Sequence, residues 1–267
     1  MPAGSAARAP KISIRGLKKA FGSQQVLAGI DLDVPEGQNL VLLGASGSGK
    51  TVLLRCIAGL TEPDAGSILI DGHEMIGLSP AEREPWTRKI GVLFQNGALF
   101  DSLPVWQNIV FDGTNAGGGG LDRHAREAAI AKLAQVGLGP DVADLLPSEL
   151  SGGMEKRVAL GRAIFHDPEM LFLDAPTDGL DPILTTIVDK LILDLLARLR
   201  ATALTITLDV ASARRLADRI ALLSEGRIAW EGPAADAMDS GNALLSEYLQ
   251  KGGWADPVTP GKAIPPT

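Results

Sequence analysis

A glycine-rich segment of eight residues constrains the fold of this chain more than any other part of its sequence. Residues 44–51 fit the pattern G-x-x-x-x-G-K-S/T, which needs a strand before it and a helix after it. Both are indicated, because Asn39–Leu43 is a short apolar run and Thr51–Ala58 has helical periodicity. Glycines let backbone N–H groups wrap a phosphate, and the helix N-terminus adds partial positive charge. The segment therefore predicts a phosphate-binding loop made of Gly44, Ala45, Ser46, Gly47, Ser48, Gly49, Lys50 and Thr51, followed by Val52.

The side chains around this loop suggest how it binds a nucleotide. We expect Lys50 to reach the β- and γ-phosphates and Thr51 to hold Mg²⁺. Asp174 follows the apolar run Met170–Leu173, so a strand could present its carboxylate to the same metal ion. Alone this is a weak signal, since many buried strands end in an aspartate that serves a turn or caps a helix. Together with the loop it predicts a metal ligand.

Composition excludes several other classes of protein. The chain has 25 basic and 32 acidic residues, a net charge of −7, and no block of Lys and Arg, which argues against a nucleic-acid partner. A single cysteine, Cys56, cannot form an internal disulfide and fits a reducing compartment. No apolar run approaches the roughly 20 residues of a membrane-spanning helix, so we expect any membrane role to come through a partner.

The order of patterns along the chain predicts one α/β domain over residues 11–250, between tails at 1–10 and 251–267. It opens with two alternating segments typical of antiparallel strands, Lys11–Gly16 and Val26–Val34, and carries a helical insert near 96–165. Gly117–Gly120 is interpreted as a spacer. The other predicted strands are Gly66–Ile70, Lys89–Phe94, Met170–Leu173, Ala203–Thr207, Ile220–Leu223 and Ile228–Glu231, and the other helices are Val105–Val110, Arg123–Gln135, Met154–Phe165, Ile183–Leu199, Ala211–Ala217 and Ala243–Leu249.

Three further motifs lie downstream of the loop. They are Leu150-Ser151-Gly152-Gly153-Met154, Leu173-Asp174-Ala175-Pro176-Thr177 and Gly179-Leu180-Asp181-Pro182. In this order and spacing, the set resembles the nucleotide-binding subunit of an ABC transporter over about residues 11–250. The resemblance implies a P-loop NTPase fold of the ABC ATPase type, with an antiparallel β subdomain and a helical subdomain. It also implies ATP and Mg²⁺ as cofactors, a homodimer that encloses two ATP molecules, and ABC permease subunits as membrane partners. Such a subunit would sit peripherally on the cytoplasmic face of the bacterial inner membrane.

The resemblance assigns roles to particular residues. Phe21 matches the aromatic residue that stacks on adenine, although a core aromatic is the alternative. Gln95 matches the glutamine that contacts Mg²⁺ or water and senses the partner. The signature residues Ser151, Gly152 and Gly153 would close over the γ-phosphate of the opposite subunit's ATP, and Asp181 would act across the dimer interface.

A finer resemblance is carried by residues 91–103, which read GVLFQNGALFDSL, and by Met154 where Gln is commoner. Both are similar to Mla-type ATPases, which serve lipid-asymmetry and related MCE-protein importers. The resemblance implies phospholipid or another hydrophobic molecule as cargo, and an MCE-type lipid-binding protein as a possible partner.

Two positions depart from the family's catalytic pattern. Ala175 stands where the family normally has the Glu that polarises the attacking water, and Leu208 stands where it has the His that contacts the γ-phosphate. A methyl group cannot accept a proton, and Leu cannot donate to a phosphate oxygen. Since loss of one acid/base group commonly costs about 10²–10⁴ in rate, we expect Mg-ATP to bind but to be hydrolysed slowly.

Three explanations of these departures are open: an engineered variant, a naturally degenerate subunit, or partial substitution by Asp178 or Asp209. The leading function is the energy-coupling subunit of a transporter. The alternative is a hydrolysis-deficient, nucleotide-gated regulatory or scaffold subunit. A soluble ABC protein of translation or DNA repair is disfavoured, because the chain has one cassette and no sustained heptads.

Overall fold

The computed structural model describes residues 10–95, 97–111 and 123–254. These residues form two sheets and eight α-helices. The expected α/β architecture, with an antiparallel sheet beside a mainly parallel one, is confirmed.

The antiparallel sheet has the strand order β2-β1-β4-β5. Buried and more exposed side chains alternate along parts of its two long strands, with breaks where the register shifts, as expected for a sheet with one face on the core. Lys11 ties this sheet to the second one, because its ammonium contacts Asp71 Oδ2 at 3.0 Å and Glu169 Oε2 at 2.6 Å. The strands are β1 (Pro10–Phe21), β2 (Gln24–Pro35), β4 (Ala65–Ile70) and β5 (His73–Glu74).

The second sheet has the order β10-β9-β3-β8-β7-β6, and only its edge strand β10 runs antiparallel. Strands β3, β7 and β8 are buried along their whole length, which explains why each is rich in apolar residues without an alternation of apolar and polar ones. The six strands are β3 (Asn39–Leu43), β6 (Ile90–Leu93), β7 (Met170–Asp174), β8 (Thr202–Ile206), β9 (Arg219–Ser224) and β10 (Arg227–Pro233).

The sheet separates two hydrophobic cores. On β3, Leu40 and Leu42 pack in the core below the antiparallel sheet, whereas Val41 and Leu43 pack in the core with the helices. This follows from the two-residue period of a strand, which sends alternate side chains to opposite faces. The helices are α1 (Lys50–Ile57), α2 (Pro80–Thr87), α3 (Val105–Val110), α4 (Arg123–Gln135), α5 (Gly152–Ala163), α6 (Pro182–Leu199), α7 (Val210–Leu216) and α8 (Ala243–Lys251).

Helix α2 was absent from the expectations. It contains Pro80 and Pro85 and buries only Arg83, so it has no apolar stripe to mark it. It begins with a capping box, in which Ser79 Oγ accepts from Glu82 N and the Glu82 carboxylate accepts from Ser79 N. The S-x-x-E pattern was the available sequence signal.

The chain ends also differ from the expectation. Pro10 already pairs in β1, α8 continues to Lys251, and Trp254 is buried, so these residues are part of the folded region. Gly117–Gly120, interpreted as a spacer, lies outside the described residues. Within residues 10–95, 97–111 and 123–254, no helix is both long and apolar enough to cross a membrane.

Candidate nucleotide site

The loop between β3 and α1 can be built only with glycine at two positions. Gly44 has φ +147°, and a Cβ there would lie 2.3 Å from the Leu223 carbonyl oxygen. Gly49, which caps α1, has φ +103°, and its Cβ would lie 3.0 Å from Val26 Cγ1. The backbone must pass close to β9 and β2 to bring the first turn of α1 under the loop.

Lys50 is the cation of this loop and is buried. Its ammonium donates to the carbonyl oxygens of Gly44 and Ala45, both at 2.8 Å, and lies 3.4 Å from Ser48 Oγ. Burial lowers the pKa of Lys50, and the negative charge of Asp174 opposes that shift. The side chain is therefore held inside the loop, where a bound triphosphate would meet it.

Asp174 is the last residue of β7 and is 3% exposed. Burial raises the pKa of its carboxyl, while a hydrogen bond from the Thr51 hydroxyl and the charges of Arg55 and Lys50 act in the opposite direction. The structure thus brings together Thr51 and Asp174, two of the three predicted metal ligands.

The donor set fits Mg²⁺ held largely by a nucleotide. Among the described residues, no group of three His, Cys, Asp or Glu side chains could hold a metal ion. Mg²⁺ commonly binds proteins through one or two oxygen side chains and takes its other ligands from phosphates and water. One carboxylate and one hydroxyl beside a phosphate loop match that chemistry.

A cleft of about 560 Å³ surrounds these groups. Phe21 lines it at the end of β1 and is 53% exposed, with the Lys19 ammonium 5.4 Å from its ring centre. An exposed ring at the mouth of the cleft fits base stacking and argues against the alternative of a core aromatic. Of the predicted site residues, the following line the cleft: Phe21, Ser46, Gly47, Gly49, Lys50, Thr51, Val52, Gln95, Asp174, Ala175 and Leu208.

Gln95 follows β6 and joins two other segments of the site. Its side-chain Nε2 donates to Asp178 Oδ2 at 3.3 Å, and its backbone oxygen accepts from the Lys156 ammonium on α5. Lys156 was not anticipated from the sequence, because nothing local places a residue of α5 next to Gln95. Burial lowers the pKa of Lys156, and the charges of Asp178, Glu155 and Asp174 oppose that shift.

Ala175 and Leu208 both line the cleft, so the two departures from the family pattern lie within the candidate site. Ala175 is left-handed, with φ +50°, and its N–H donates to the Ile206 carbonyl at 2.9 Å. Leu208 is 54% exposed. The two carboxylates that could substitute are already engaged: Asp178 accepts from Gln95, and Asp209 caps α7 by accepting from Ala211 N at 2.8 Å.

Ser151, Gly152, Gly153 and Asp181 are not among the residues that line this cleft, although Gly152 lies beside Leu180, which does line it. Ser151 caps α5, with its hydroxyl accepting from Met154 N at 3.3 Å, and a Cβ at Gly153 would lie 3.3 Å from Leu184 Cδ1. Asp181 likewise caps α6, accepting from Ile183 N and Leu184 N. The roles expected of Ser151, Gly152, Gly153 and Asp181 toward a second subunit stay predictions.

Taken together, a phosphate loop with its lysine, an adjacent carboxylate and hydroxyl, and an exposed aromatic ring in the same cleft define a nucleoside triphosphate-binding protein. The ABC transporter family model matches residues 27–178, and the chain belongs to this family as an ATP-binding subunit. ATP with Mg²⁺ is accordingly its cofactor, and ATP hydrolysis is the activity of the family.

Named relatives cover most of the chain. The probable ribonucleotide transport ATP-binding protein mkl of Mycobacterium leprae is 38% identical over 245 residues, which is 89% of this chain and 68% of the relative. The methionine import ATP-binding protein MetN of Brucella abortus is 38% identical over 228 residues, covering 85% of this chain. The chain spans 61% of the length of that second relative.

Solved structures show the same fold. A nucleotide-free ATP-binding cassette from an ABC transporter superposes with a TM-score of 0.78 at 25% identity, covering 90% of this chain and 98% of the other. A bacterial ABC transporter cassette solved as a dimer gives a TM-score of 0.76 at 28% identity, covering 84% and 98%.

Proposed function

We propose that this chain is the energy-coupling subunit of an Mla-type transporter that moves phospholipid or another hydrophobic molecule. Two copies would enclose two ATP molecules, each site combining the phosphate loop of one copy with the signature residues of the other. Closure of this homodimer would act on permease subunits at the cytoplasmic face of the inner membrane, with an MCE-type protein as a further partner. The similarity of residues 91–103 to Mla-type ATPases supports the cargo class.

A groove next to that segment supports the permease contact. It has a volume of about 660 Å³ and lies between α2, β6 and the end of α5. At Gly91 the strand β6 packs closely against the end of α5, since a Cβ there would lie 2.0 Å from the Ala163 carbonyl oxygen. Arg88, 74% exposed and paired with Glu84, stands at its edge. Apolar and charged side chains both line this groove, so it suits a short amphipathic helix of a permease.

We further propose that hydrolysis is slow, and one observation carries this proposal. The cleft that holds Lys50, Thr51 and Asp174 presents a methyl group at Ala175 and an isobutyl group at Leu208, where the family places a base and a donor. ATP binding, and not hydrolysis, would then drive closure of the dimer, because a ligand that binds the closed state better shifts the equilibrium toward it.

Transport by the reconstituted complex tests the cargo. The chain is co-expressed with a candidate Mla-type permease, and the complex is placed in lipid vesicles containing a fluorescent phospholipid, with methionine and a ribonucleotide in parallel assays. We expect Mg-ATP to drive movement of the phospholipid alone, and Lys50→Ala to abolish it. Movement of methionine or ribonucleotide would contradict the proposed phospholipid cargo and indicate the kind of cargo for which these relatives are named.

Charge reversal tests the groove. Arg88→Glu should prevent capture of the permease, whereas Arg15→Glu, an exposed arginine on the antiparallel sheet paired with Asp33, should not. Equal capture by both variants would place the permease elsewhere.

The alternative is a nucleotide-gated regulatory or scaffold subunit, and Ala175 with Leu208 favours it over an efficient motor. Turnover with the permease bound separates the two. A coupling subunit should hydrolyse ATP measurably faster with permease than alone, whereas a scaffold should occupy its site with no increase in phosphate release.

A further inference from the structure

The C-terminal helix α8 and the residue that follows it contact the phosphate loop and the start of α7. The Tyr248 hydroxyl donates to the carbonyl oxygen of Gly44, the first residue of the phosphate loop, at 3.2 Å. One turn later, Gly252 packs against Val210, the first residue of α7, so closely that a Cβ at 252 would lie 2.1 Å from Val210 Cγ2. Val210 stands two residues after Leu208, which lines the cleft. The end of α8 therefore supports both the loop and the segment after β8.

The Gly44 carbonyl oxygen has two donors, the Lys50 ammonium at 2.8 Å and the Tyr248 hydroxyl. Gly44 is buried, and a buried carbonyl without a partner carries a desolvation penalty. If a bound phosphate drew the Lys50 ammonium away, the Gly44 carbonyl would lose its shorter hydrogen bond. The phenol is already in place to keep that carbonyl paired, since a carbonyl oxygen can accept two hydrogen bonds.

We propose that Tyr248 is a positioning residue for nucleotide binding, which holds the Gly44 carbonyl while Lys50 engages phosphate and so couples the docking of α8 to occupancy of the phosphate loop. This inference depends on ATP binding and not on the cargo of the transporter. Burial raises the pKa of the Tyr248 hydroxyl, which therefore stays protonated and able to donate at neutral pH.

The rest of α8 holds the helix in place without the hydroxyl. Asn242 caps it by accepting from Leu245 N at 3.0 Å and donates from Nδ2 to the Ala229 carbonyl at 3.0 Å. Leu245, Leu249 and Trp254 are buried in the core shared with the main helices. Tyr248→Phe keeps the ring and should fold, so its effect isolates the hydrogen bond to Gly44.

Calorimetric titration with Mg-ATP tests the proposal directly. Tyr248→Phe should raise the dissociation constant about three- to tenfold, equivalent to about 0.7–1.4 kcal/mol. The control is Glu247→Gln on the same helix, which removes only an exposed ion pair with Lys251 and should bind Mg-ATP as the unaltered chain does. Unchanged affinity in Tyr248→Phe, or an equal loss in Glu247→Gln, would overturn the proposal.

Hydrogen exchange supplies a second readout that a merely structural role would not move. Coupling between two sites is reciprocal, so Mg-ATP should slow amide exchange across residues 243–251 of the unaltered chain. In Tyr248→Phe the same addition should slow it much less. Exchange in α8 that ignores Mg-ATP in the unaltered chain would contradict the coupling, whatever the folding of the variant.

Discussion

Phosphate release should rise by about 10²–10⁴ when Ala175→Glu and Leu208→His are combined, because together they return an acid/base group and a phosphate donor to the cleft. Ala175 lies next to Asp174 and lines the same cleft as Lys50, so a carboxylate on its longer replacement would reach the region of a bound γ-phosphate. The backbone there already has φ +50° with a side chain present, so little extra backbone strain is expected.

Leu208→His should have little effect on stability. Leu208 is 54% exposed, so its replacement leaves no cavity. A hydrogen bond to a charged group contributes about 1.5–3 kcal/mol, or roughly a factor of 10–10² in rate if it forms only in the transition state. The factors need not multiply, since groups that act as a unit are non-additive.

Steady-state phosphate release by the unaltered chain, both single variants and the double variant measures the effect and its coupling. Mg-ATP affinity, measured in parallel, should stay within a few-fold, since Thr51, Asp174 and the loop are untouched. A Lys50→Ala background should abolish the gain. The reasoning is refuted if the double variant binds Mg-ATP normally yet hydrolyses no faster, or if the unaltered chain already turns over at the 1–10³ s⁻¹ that is roughly typical of enzymes.

Three further outcomes follow from contacts described above. Gly44→Ala should lower the denaturation midpoint and abolish Mg-ATP binding in calorimetry, because its Cβ would lie 2.3 Å from a backbone oxygen at a φ that costs about 1–3 kcal/mol for other residues. The hydrogen bond from Lys11 holds the pKa of Glu169 below its usual 4.5, so this stabilisation is complete above that pH and is lost as the pH falls through the lower, folded-state pKa. Urea titrations at descending pH should accordingly show that the free energy of unfolding falls less steeply in Glu169→Gln. An unchanged slope would show that the ion pair does not contribute to stability. Because the chain has a single tyrosine, near-ultraviolet absorbance should report ionisation of Tyr248 alone, with a midpoint above that in denaturant; equal midpoints would contradict its burial.

Local features of the site were predictable from the sequence. The phosphate loop, the position of Asp174 at the end of β7 and the capping of α5 by Ser151 each depend on residues within a few positions of one another. The fold class followed for a similar reason, since strand and helix periods are local. Helix α2 was not predicted, because it contains two prolines and has no periodic pattern of apolar residues.

Contacts between distant segments were not predictable in the same way. Tyr248 and Gly44 are 204 positions apart, and no local pattern marks a tyrosine in an amphipathic helix as the partner of a loop carbonyl. The contact of Lys156 with Gln95 depends on how α5 packs beside β6, which the residues of α5 do not specify alone. Such contacts are set by tertiary packing.

The register of strand β3 sets the position of the phosphate loop that follows it. The strand pairs with β8 from Asn39 opposite Ala203 and with β9 from Leu40 opposite Arg219, and its side chains are divided between two cores. A slip of one position would exchange the two cores and carry the glycine loop about 3.3 Å along the strand. A register error large enough to misplace Lys50 would therefore also put apolar side chains in the wrong core, so the packing of one five-residue strand helps to fix the position of the phosphate loop.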